Sequence, residues 1–401
     1  MDTTLMHDAH HTVANTNFVG LIAANTILGS VMPMLIILGG LAGLLLAPNP
    51  TLATLPPSVQ TFAGLVVTGP FSLLMGRYGR RVGFLVGGLS AIAGGAIGVF
   101  ALVWSSFALL CVAHAFMGAS LACYLYFRFA TAEVVVTDWQ PVAISLVLTS
   151  GLVAAFVGPQ VFIWTKDVFA PVPLAGAYAA IMVVTFVGLV PLLLVRIPRP
   201  TVKPSRPKLD RAALAIILKR RPVLTAVLAG AVSQGIMVLL MAPTPLAMTG
   251  HGYSETSASD VIRWHVVAMF APSFFTGFLI RRFGTIPVVA TGLALLIGAL
   301  LVAASGISVH HFYVALVVLG IGWNFGFIGA TNLLASAISP EERAVVQGTN
   351  DTLIALAATL CVFASGAIVT GFGWTELALS SLPILAVALL WVLLPQTRQH
   401  S

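Results

Sequence analysis

Apolar runs of membrane-spanning length alternate with short polar interruptions along almost the whole chain. About 20 consecutive apolar residues in an α-helix cross a bilayer. Set against the glycines, prolines and charged residues that interrupt them, the runs predict twelve transmembrane helices in an all-α membrane protein. These lie at about 18–46, 58–77, 82–104, 106–130, 141–165, 172–196, 223–249, 257–280, 285–306, 309–337, 343–371 and 373–395.

One long polar segment separates the first six predicted helices from the last six. The stretch from Arg196 to Arg221 holds nine lysine and arginine residues and four prolines. Prolines and clustered like charges disfavour a buried helix, so we interpret this stretch as a basic connector with a short surface helix near 209–219. The chain then divides into an N-terminal tail at 1–17, a six-helix half at 18–196, the connector at 197–222, a second six-helix half at 223–395 and a C-terminal tail at 396–401.

Composition excludes a soluble protein. Hydrophobic residues make up 59% of the 401 positions, charged residues 8%, and the mean hydropathy is +1.03, whereas soluble domains carry about 25% charged residues. The chain also lacks a phosphate-binding loop with its lysine and a helical H-E-x-x-H, the signatures of nucleotide hydrolysis and of zinc hydrolases. We therefore expect neither an enzyme nor a resident cofactor.

The net charge of +7 is an orientation signal. Lysine and arginine concentrate in the connector and in the loops after even-numbered helices, and cytoplasmic loops are enriched in these residues. The bias predicts that the connector and both termini face the cytoplasm. It also means that the basic balance gives no reason to expect nucleic acid as a partner.

Two pairs of potential metal ligands stand out in neighbouring apolar segments. Met237 and Met241 are spaced i, i+4, and so are His265 and Met269, so each pair shares one face of its helix. Thioethers and imidazole suit a soft ion such as Cu(I). In antiparallel helices 7 and 8 the two pairs would fall at similar depth. The alternative is that the methionines fill gaps in the core and the histidine hydrogen-bonds a neighbour.

A second soft site is conceivable in the first half. Cys111 and His114 lie one turn apart on helix 4, and Met32 and Met34 flank a proline in helix 1. These four could add ligands or a handoff point. The alternative is that they are packed core residues, and Cys123 and Cys361 have the same two interpretations.

Four polar residues are candidates for coupling or gating. Asp351, close to the cytoplasmic side of helix 11, is a possible proton acceptor or a partner for Arg343. Arg128 and Glu133, near the end of helix 4, would form an ion pair or bind across the halves. Asn324 on helix 10 is a candidate cavity liner.

The two halves share a loop pattern that resembles a known superfamily. Arg77-Tyr-Gly-Arg-Arg81 follows helix 2, and Arg281-Arg-Phe-Gly284 follows helix 8. The first resembles the helix 2–3 signature of the major facilitator superfamily, G-x-x-x-D-[RK]-x-G-[RK]-[RK], with Ser72 and Gly76 in place of its first glycine and its acid. The resemblance implies two pseudo-symmetric six-helix halves with a substrate site between them near mid-membrane.

The ligand pairs resemble one branch of that superfamily. An M-x-x-x-M followed by an H-x-x-x-M in helices 7 and 8 is typical of CcoA-like bacterial copper importers. That resemblance implies import of copper as Cu(I) across the bacterial inner membrane, supplying assembly of cbb3-type cytochrome c oxidase. Copper, free or as a small complex, would be the substrate, and the lipid bilayer and a cytoplasmic copper acceptor would be the partners.

Two other functions stay open. Flanking strings such as Gly322-Trp-Asn-Phe-Gly-Phe327 also occur in riboflavin-type transporters. The alternative function is therefore transport of a riboflavin-like or drug-like organic solute, with Trp264, Trp323 and Phe325 lining the cavity. A third hypothesis is a non-transporting assembly or sensing partner that docks through the basic connector.

Overall fold

The computed structural model describes residues 3–135, 140–197, 211–339 and 342–394. Within these ranges the side chains of 3–15 and of a few further positions lie outside the description. Arg128, one of the predicted coupling residues, is among them. The C-terminal tail at 396–401 and most of the connector also lie outside the described residues, so the predictions made for them stay predictions.

Regular structure in the described residues is helical. We number the α-helices in chain order: α1 Thr3–Gly29, α2 Val31–Leu46, α3 Leu55–Tyr78, α4 Arg80–Val103, α5 Phe107–Tyr124, α6 Phe127–Glu133, α7 Gln140–Thr165, α8 Ala175–Leu194, α9 Arg211–Lys219, α10 Arg221–Met241, α11 Thr244–Gly250, α12 Glu255–Phe270, α13 Ser273–Phe283, α14 Thr285–Ser305, α15 Val309–Ala337, α16 Arg343–Gly371 and α17 Trp374–Leu393.

The predicted membrane spans coincide with these helices. Ten spans are long and apolar enough to cross a bilayer on their own. The pair α12 and α13, bent by 40° at a short break, adds an eleventh if it forms one span, and α7 contains a shorter apolar helix at Thr149–Thr165. The described residues therefore give ten or eleven spans where twelve were predicted. The prediction of an all-α membrane protein is confirmed.

Several spans are interrupted where the sequence carries proline. The break between α10 and α11 contains Pro243, and the break between α12 and α13 contains Pro272. Proline lacks an N–H and clashes with the preceding turn, so it interrupts a helix at that point. The sequence analysis treated each of these spans as one helix and did not anticipate the breaks.

The N-terminal segment differs from the expected tail. Helix α1 begins at Thr3 and continues into the first apolar run. Neither glycine nor proline lies between Thr3 and the apolar run, so nothing ends a helix there. The short helix expected in the connector near 209–219 is present as α9, Arg211–Lys219.

The chain divides into two compact units. The first contains residues 1–48 and 59–204, and the second contains 49–58 and 205–401. In the first unit α4 packs against both α5 and α8. Its core includes the rings of Phe84 and Phe127, which stack with centroids 4.0 Å apart.

In the second unit α15 is the central helix. Helices α10, α12 and α14 all pack on it. Glycine permits the close approach: a β-carbon on Gly320 would lie 2.8 Å from the His265 carbonyl oxygen of α12. Small residues bring helix backbones together in this way within membranes, and the second unit's candidate site is built on this contact.

Each unit contains the same tight turn. Helix α3 ends at Gly79 with φ of 94°, and α13 ends at Gly284 with φ of 89°. Only glycine adopts this conformation without strain, which explains the glycine in both Arg-rich loops. The weak sequence similarity of the halves at these loops therefore reflects a shared backbone turn.

Each unit also has an ion pair between residues that are distant in sequence. Glu133 pairs with Arg80 at 2.7 Å, and Glu342 pairs with Arg220 at 2.9 Å. The sequence analysis predicted Arg128, five positions away on the same helix, as the partner of Glu133. The Arg128 side chain lies outside the described residues, so that pairing stays a prediction; the partner described for Glu133 is Arg80, which begins α4 and is brought near by tertiary packing.

Candidate functional site

Helix α10 meets α15 along a face whose register is set by two contacts. The Ser233 hydroxyl lies 2.3 Å from the position of a β-carbon on Gly326. The indole nitrogen of Trp323 donates to Gln234 Oε1 at 2.8 Å. Ser233 on α10 meets Gly326 on α15, and the next residue of α10, Gln234, meets Trp323, which comes earlier in α15. Residue numbers therefore rise along α10 as they fall along α15, so the two helices run antiparallel.

The first predicted ligand pair continues this face. Met237 and Met241 follow Ser233 at four-residue intervals, which keeps all three on one side of the helix. Both methionines are buried, with 2% and 7% of their surface exposed. The antiparallel register places them beside the part of α15 that precedes Trp323.

The second predicted pair packs against the same part of α15. His265 Nδ1 hydrogen-bonds the carbonyl oxygen of Leu316 at 2.7 Å, and the carbonyl of Met269 accepts from Asn324 Nδ2 at 2.7 Å. His265 is fully buried. Its Nε2 has no hydrogen-bond partner among the described residues.

The two pairs therefore flank one stretch of α15 from adjacent sides. Gly320 faces α12 and Trp323 faces α10, and three residues along a helix correspond to a rotation of about 60° between faces. Helices α10 and α12 themselves touch at most marginally in the described structure. The described residues contain no cluster of three or more His, Cys, Asp or Glu side chains suited to a metal, so any metal held here depends on the thioethers.

The side-chain amide of Asn324 forms hydrogen bonds with both helices of the bent span, α12 and α13. Its Nδ2 donates to Ser273 Oγ at 2.7 Å as well as to the Met269 carbonyl, and its Oδ1 accepts from Thr276 Oγ1 at 2.6 Å. These partners lie on both sides of the break between α12 and α13. Asn324 was predicted to line a cavity; the structure buries it completely and uses its donors and acceptor to bridge the break.

Beside the methionine pair lies a group of aromatic rings. Trp323 stacks on Phe327 with centroids 5.1 Å apart and meets Phe270 edge-on at 6.3 Å. The three rings and Gln234 are half-buried. We call these four residues the aromatic–amide group. It offers flat apolar surface and an amide in one place inside the second unit, the combination found in ligand sites.

The other predicted aromatic liners lie apart from this group. Phe325 packs edge-on against Phe275 at 6.3 Å. Trp264 is 45% exposed on α12. Of the three aromatic residues named from the sequence, Trp323 alone belongs to the aromatic–amide group; Phe270, Phe327 and Gln234 were missed because their proximity depends on how three helices pack.

His114, the histidine of the second candidate soft site, has both ring nitrogens hydrogen-bonded within the first unit. His114 Nδ1 bonds Gln60 Oε1 at 2.9 Å, and its Nε2 bonds the Tyr178 hydroxyl at 2.8 Å. Both ring nitrogens are occupied and the ring is fully buried. In this arrangement His114 has no nitrogen available for a metal, and it connects three helices of the first unit.

The other candidates for the second soft site are methionines and cysteines, and they differ in burial. Met34 is fully buried and Met32 is half-buried on α2. Cys111 and Cys361 are half-buried free thiols, and Cys123 is buried, with its thiol donating to the Gly83 carbonyl. These positions fit packing within the helices.

Asp351 lies further into its helix than expected. It is the ninth residue of α16 and is exposed, with Oδ1 accepting from Asn350 Nδ2 at 3.2 Å. Its exposure keeps it a candidate proton acceptor.

A charged group in α12 was missed. Asp260 pairs with Arg263 at 2.7 Å and also accepts a hydrogen bond from the Tyr313 hydroxyl. The three-residue spacing of the two charges inside an apolar segment was the available signal.

Ten or eleven apolar spans in the described residues, with an amide and stacked rings held inside one unit, are typical of a secondary transporter. Comparison with known proteins defines the family. The sequence profile of the Major Facilitator Superfamily matches residues 239–401. The riboflavin transporter RfnT of Brucella anthropi is 37% identical over 383 residues, which cover 96% of each chain. The MFS-type transporter YddS of Bacillus subtilis is 34% identical, covering 82% of this chain and 79% of its own.

Solved structures show the same fold. An auto-inhibited peptide transporter of the POT family superposes with a TM-score of 0.72 at 12% identity, covering 94% of this chain and 95% of its own. The chain belongs to the Major Facilitator Superfamily and is a multi-pass membrane transporter, not an enzyme.

Proposed function

We propose that this transporter carries a planar heterocyclic organic solute of the riboflavin type. The observation that carries the proposal is the aromatic–amide group, in which the Trp323 and Phe327 rings stack at 5.1 Å beside the amide of Gln234. A flat conjugated ring system finds there both a stacking surface and a hydrogen-bonding group. Among the functions considered from the sequence, this was the alternative to copper import.

Stacking supplies useful affinity without demanding a charge on the solute. A heterocyclic base stacked on an aromatic side chain contributes about 1–3 kcal/mol, and rigid rings lose little entropy on binding. Removing the indole of Trp323 would therefore weaken binding about fivefold to more than a hundredfold. The identity of 37% with a riboflavin transporter along nearly the whole chain supports the same class of solute.

The proposal is tested by uptake in bacteria that need external riboflavin and have no importer of their own. We expect the chain to restore growth at low riboflavin and to give saturable uptake of radiolabelled riboflavin. Trp323→Ala should raise the KM about tenfold or more, because the stacking surface is lost. Trp164→Ala is the matched control, since this ring is 70% exposed on α7. Absence of riboflavin uptake by the unaltered, membrane-inserted chain would refute the proposal.

Copper import is the second candidate, and one observation favours it. His265 Nε2 is buried without a partner among the described residues, and the thioether pair of Met237 and Met241 flanks the same stretch of α15 as His265 and Met269. An imidazole nitrogen and thioethers form a suitable Cu(I) ligand set. Copper accumulation by the same cells, lost in a variant carrying Met237→Leu, Met241→Leu and Met269→Leu together, would support this candidate. Unchanged copper content on expression would exclude it.

A further inference from the structure

Gln234 is the polar member of the aromatic–amide group, and its amide is held in one orientation. An indole N–H can only donate a hydrogen bond, so the group that faces Trp323 Nε1 at 2.8 Å is the amide oxygen of Gln234. The NH2 of the same amide therefore points away from the indole.

The amide nitrogen lacks a protein partner. No described residue accepts a hydrogen bond from Gln234 Nε2, although the side chain is half-buried. Nε2 is not one of the fully buried unpartnered atoms of the described residues, so an acceptor on a bound solute can reach it and would pair a donor that the protein leaves unpaired. The neighbouring surface offers it little: Phe270 and Phe327 are apolar rings, and Ser233 on the same helix turns toward Gly326.

We infer that Gln234 is a specificity residue of this transporter, whose NH2 donates to a carbonyl oxygen or ring nitrogen on the polar edge of the transported heterocycle. The inference rests on the proposed function and names the group that selects the solute. Trp323 would then act twice, as stacking surface and as the donor that fixes the amide.

The inference defines a chemical class of solute. The isoalloxazine ring of riboflavin has two adjacent acceptors on one edge, the C4 carbonyl oxygen and the ring nitrogen N5; the N3–H donor separates the C4 carbonyl from the C2 carbonyl, and methyl groups lie at the opposite end of the ring. A ring stacked on Trp323 can turn that acceptor edge toward Gln234. A purely hydrocarbon ring of the same size would leave the amide unpaired and should be rejected, since unpaired polar groups discriminate strongly.

Substitution of Gln234 separates this role from packing. Gln234→Leu removes the donor and should raise the KM for riboflavin about five- to tenfold. Gln234→Glu keeps an acceptor for Trp323 but replaces the NH2 by oxygen, so it should raise the KM at least as much in a chain that is correctly folded. Thr291→Val is the control, because its exposed hydroxyl bonds only the Pro287 carbonyl of its own helix.

The decisive readout is selectivity among analogues, which a merely structural role would not alter. We would compare riboflavin with 5-deazariboflavin and with thio analogues in which sulfur replaces either ring carbonyl oxygen. The unaltered chain should transport at least one analogue about fivefold or more less efficiently than riboflavin. Gln234→Leu should transport that analogue and riboflavin with equal efficiency. Retention of the original selectivity pattern by Gln234→Leu, with riboflavin still transported, would overturn the inference alone. Failure of the unaltered chain to transport riboflavin would overturn the proposed function and this inference together.

Discussion

At the scale of single residues, two buried histidines illustrate how partners decide a role. Both ring nitrogens of His114 are hydrogen-bonded, one to Gln60 and one to Tyr178. His265 has one bonded nitrogen, and its Nε2 makes no hydrogen bond among the described residues. The first histidine is therefore assigned to the structure of its unit, whereas the second is available to a soft ligand.

The structural role of His114 is testable by thermal unfolding in detergent. His114→Ala removes the hydrogen-bond partner of the buried Tyr178 hydroxyl and of the half-buried Gln60 amide, which should lower the free energy of unfolding by about 1–3 kcal/mol. Tyr178→Phe removes one hydrogen bond and should cost about 1 kcal/mol. Tyr78→Phe, at a tyrosine that is 49% exposed, is the control. An unchanged melting temperature for His114→Ala would contradict the assignment.

At the scale of helices, the close packing of other helices of the second unit against α15 positions the candidate site. Helices α10, α12 and α14 all pack on α15. At Gly292 the backbone of α14 comes directly against the backbone of α15. A β-carbon on Gly292 would lie 2.3 Å from the backbone nitrogen of Gly326. The aromatic–amide group depends on this packing because Trp323 is on α15 and Gln234 on α10.

A matched pair of glycines on α14 tests the importance of this packing. Gly292→Ala forces α14 away from α15 and should destabilise the protein by about 1–3 kcal/mol. Gly298→Ala on the same helix meets nothing within 4 Å, and alanine favours a helix over glycine by about 1 kcal/mol. The melting temperature should therefore fall for the first and hold or rise for the second. Equal melting temperatures would show that the close contact does not limit stability.

At the scale of the whole molecule, the fold could be predicted because each span carries its own signal. A run of apolar residues identifies a transmembrane helix without knowledge of its neighbours, and the glycine turns at Gly79 and Gly284 repeat once per half. The breaks at Pro243 and Pro272 were present in the sequence as prolines, but a proline alone does not show whether a span bends or ends. The cytoplasmic position of both termini stays a prediction.

The candidate site could be predicted only in part, because its members come from separate helices. Spacing identified each ligand pair, since i, i+4 residues share a face. It could not reveal that Asn324 bonds Ser273 and Thr276, or that Glu133 pairs with Arg80, because those partners are about fifty positions away. The orientation of the Gln234 amide likewise depends on Trp323, a neighbour that appears only when α10 and α15 pack.

The central claim concerns the solute, and transport by the purified protein in liposomes tests it most directly. Radiolabelled riboflavin and Cu(I) would be offered to the same vesicles, with Trp323→Ala vesicles and empty vesicles as controls. The account predicts saturable riboflavin accumulation that Trp323→Ala reduces about tenfold or more at low concentration. Copper accumulation without any riboflavin uptake would contradict it.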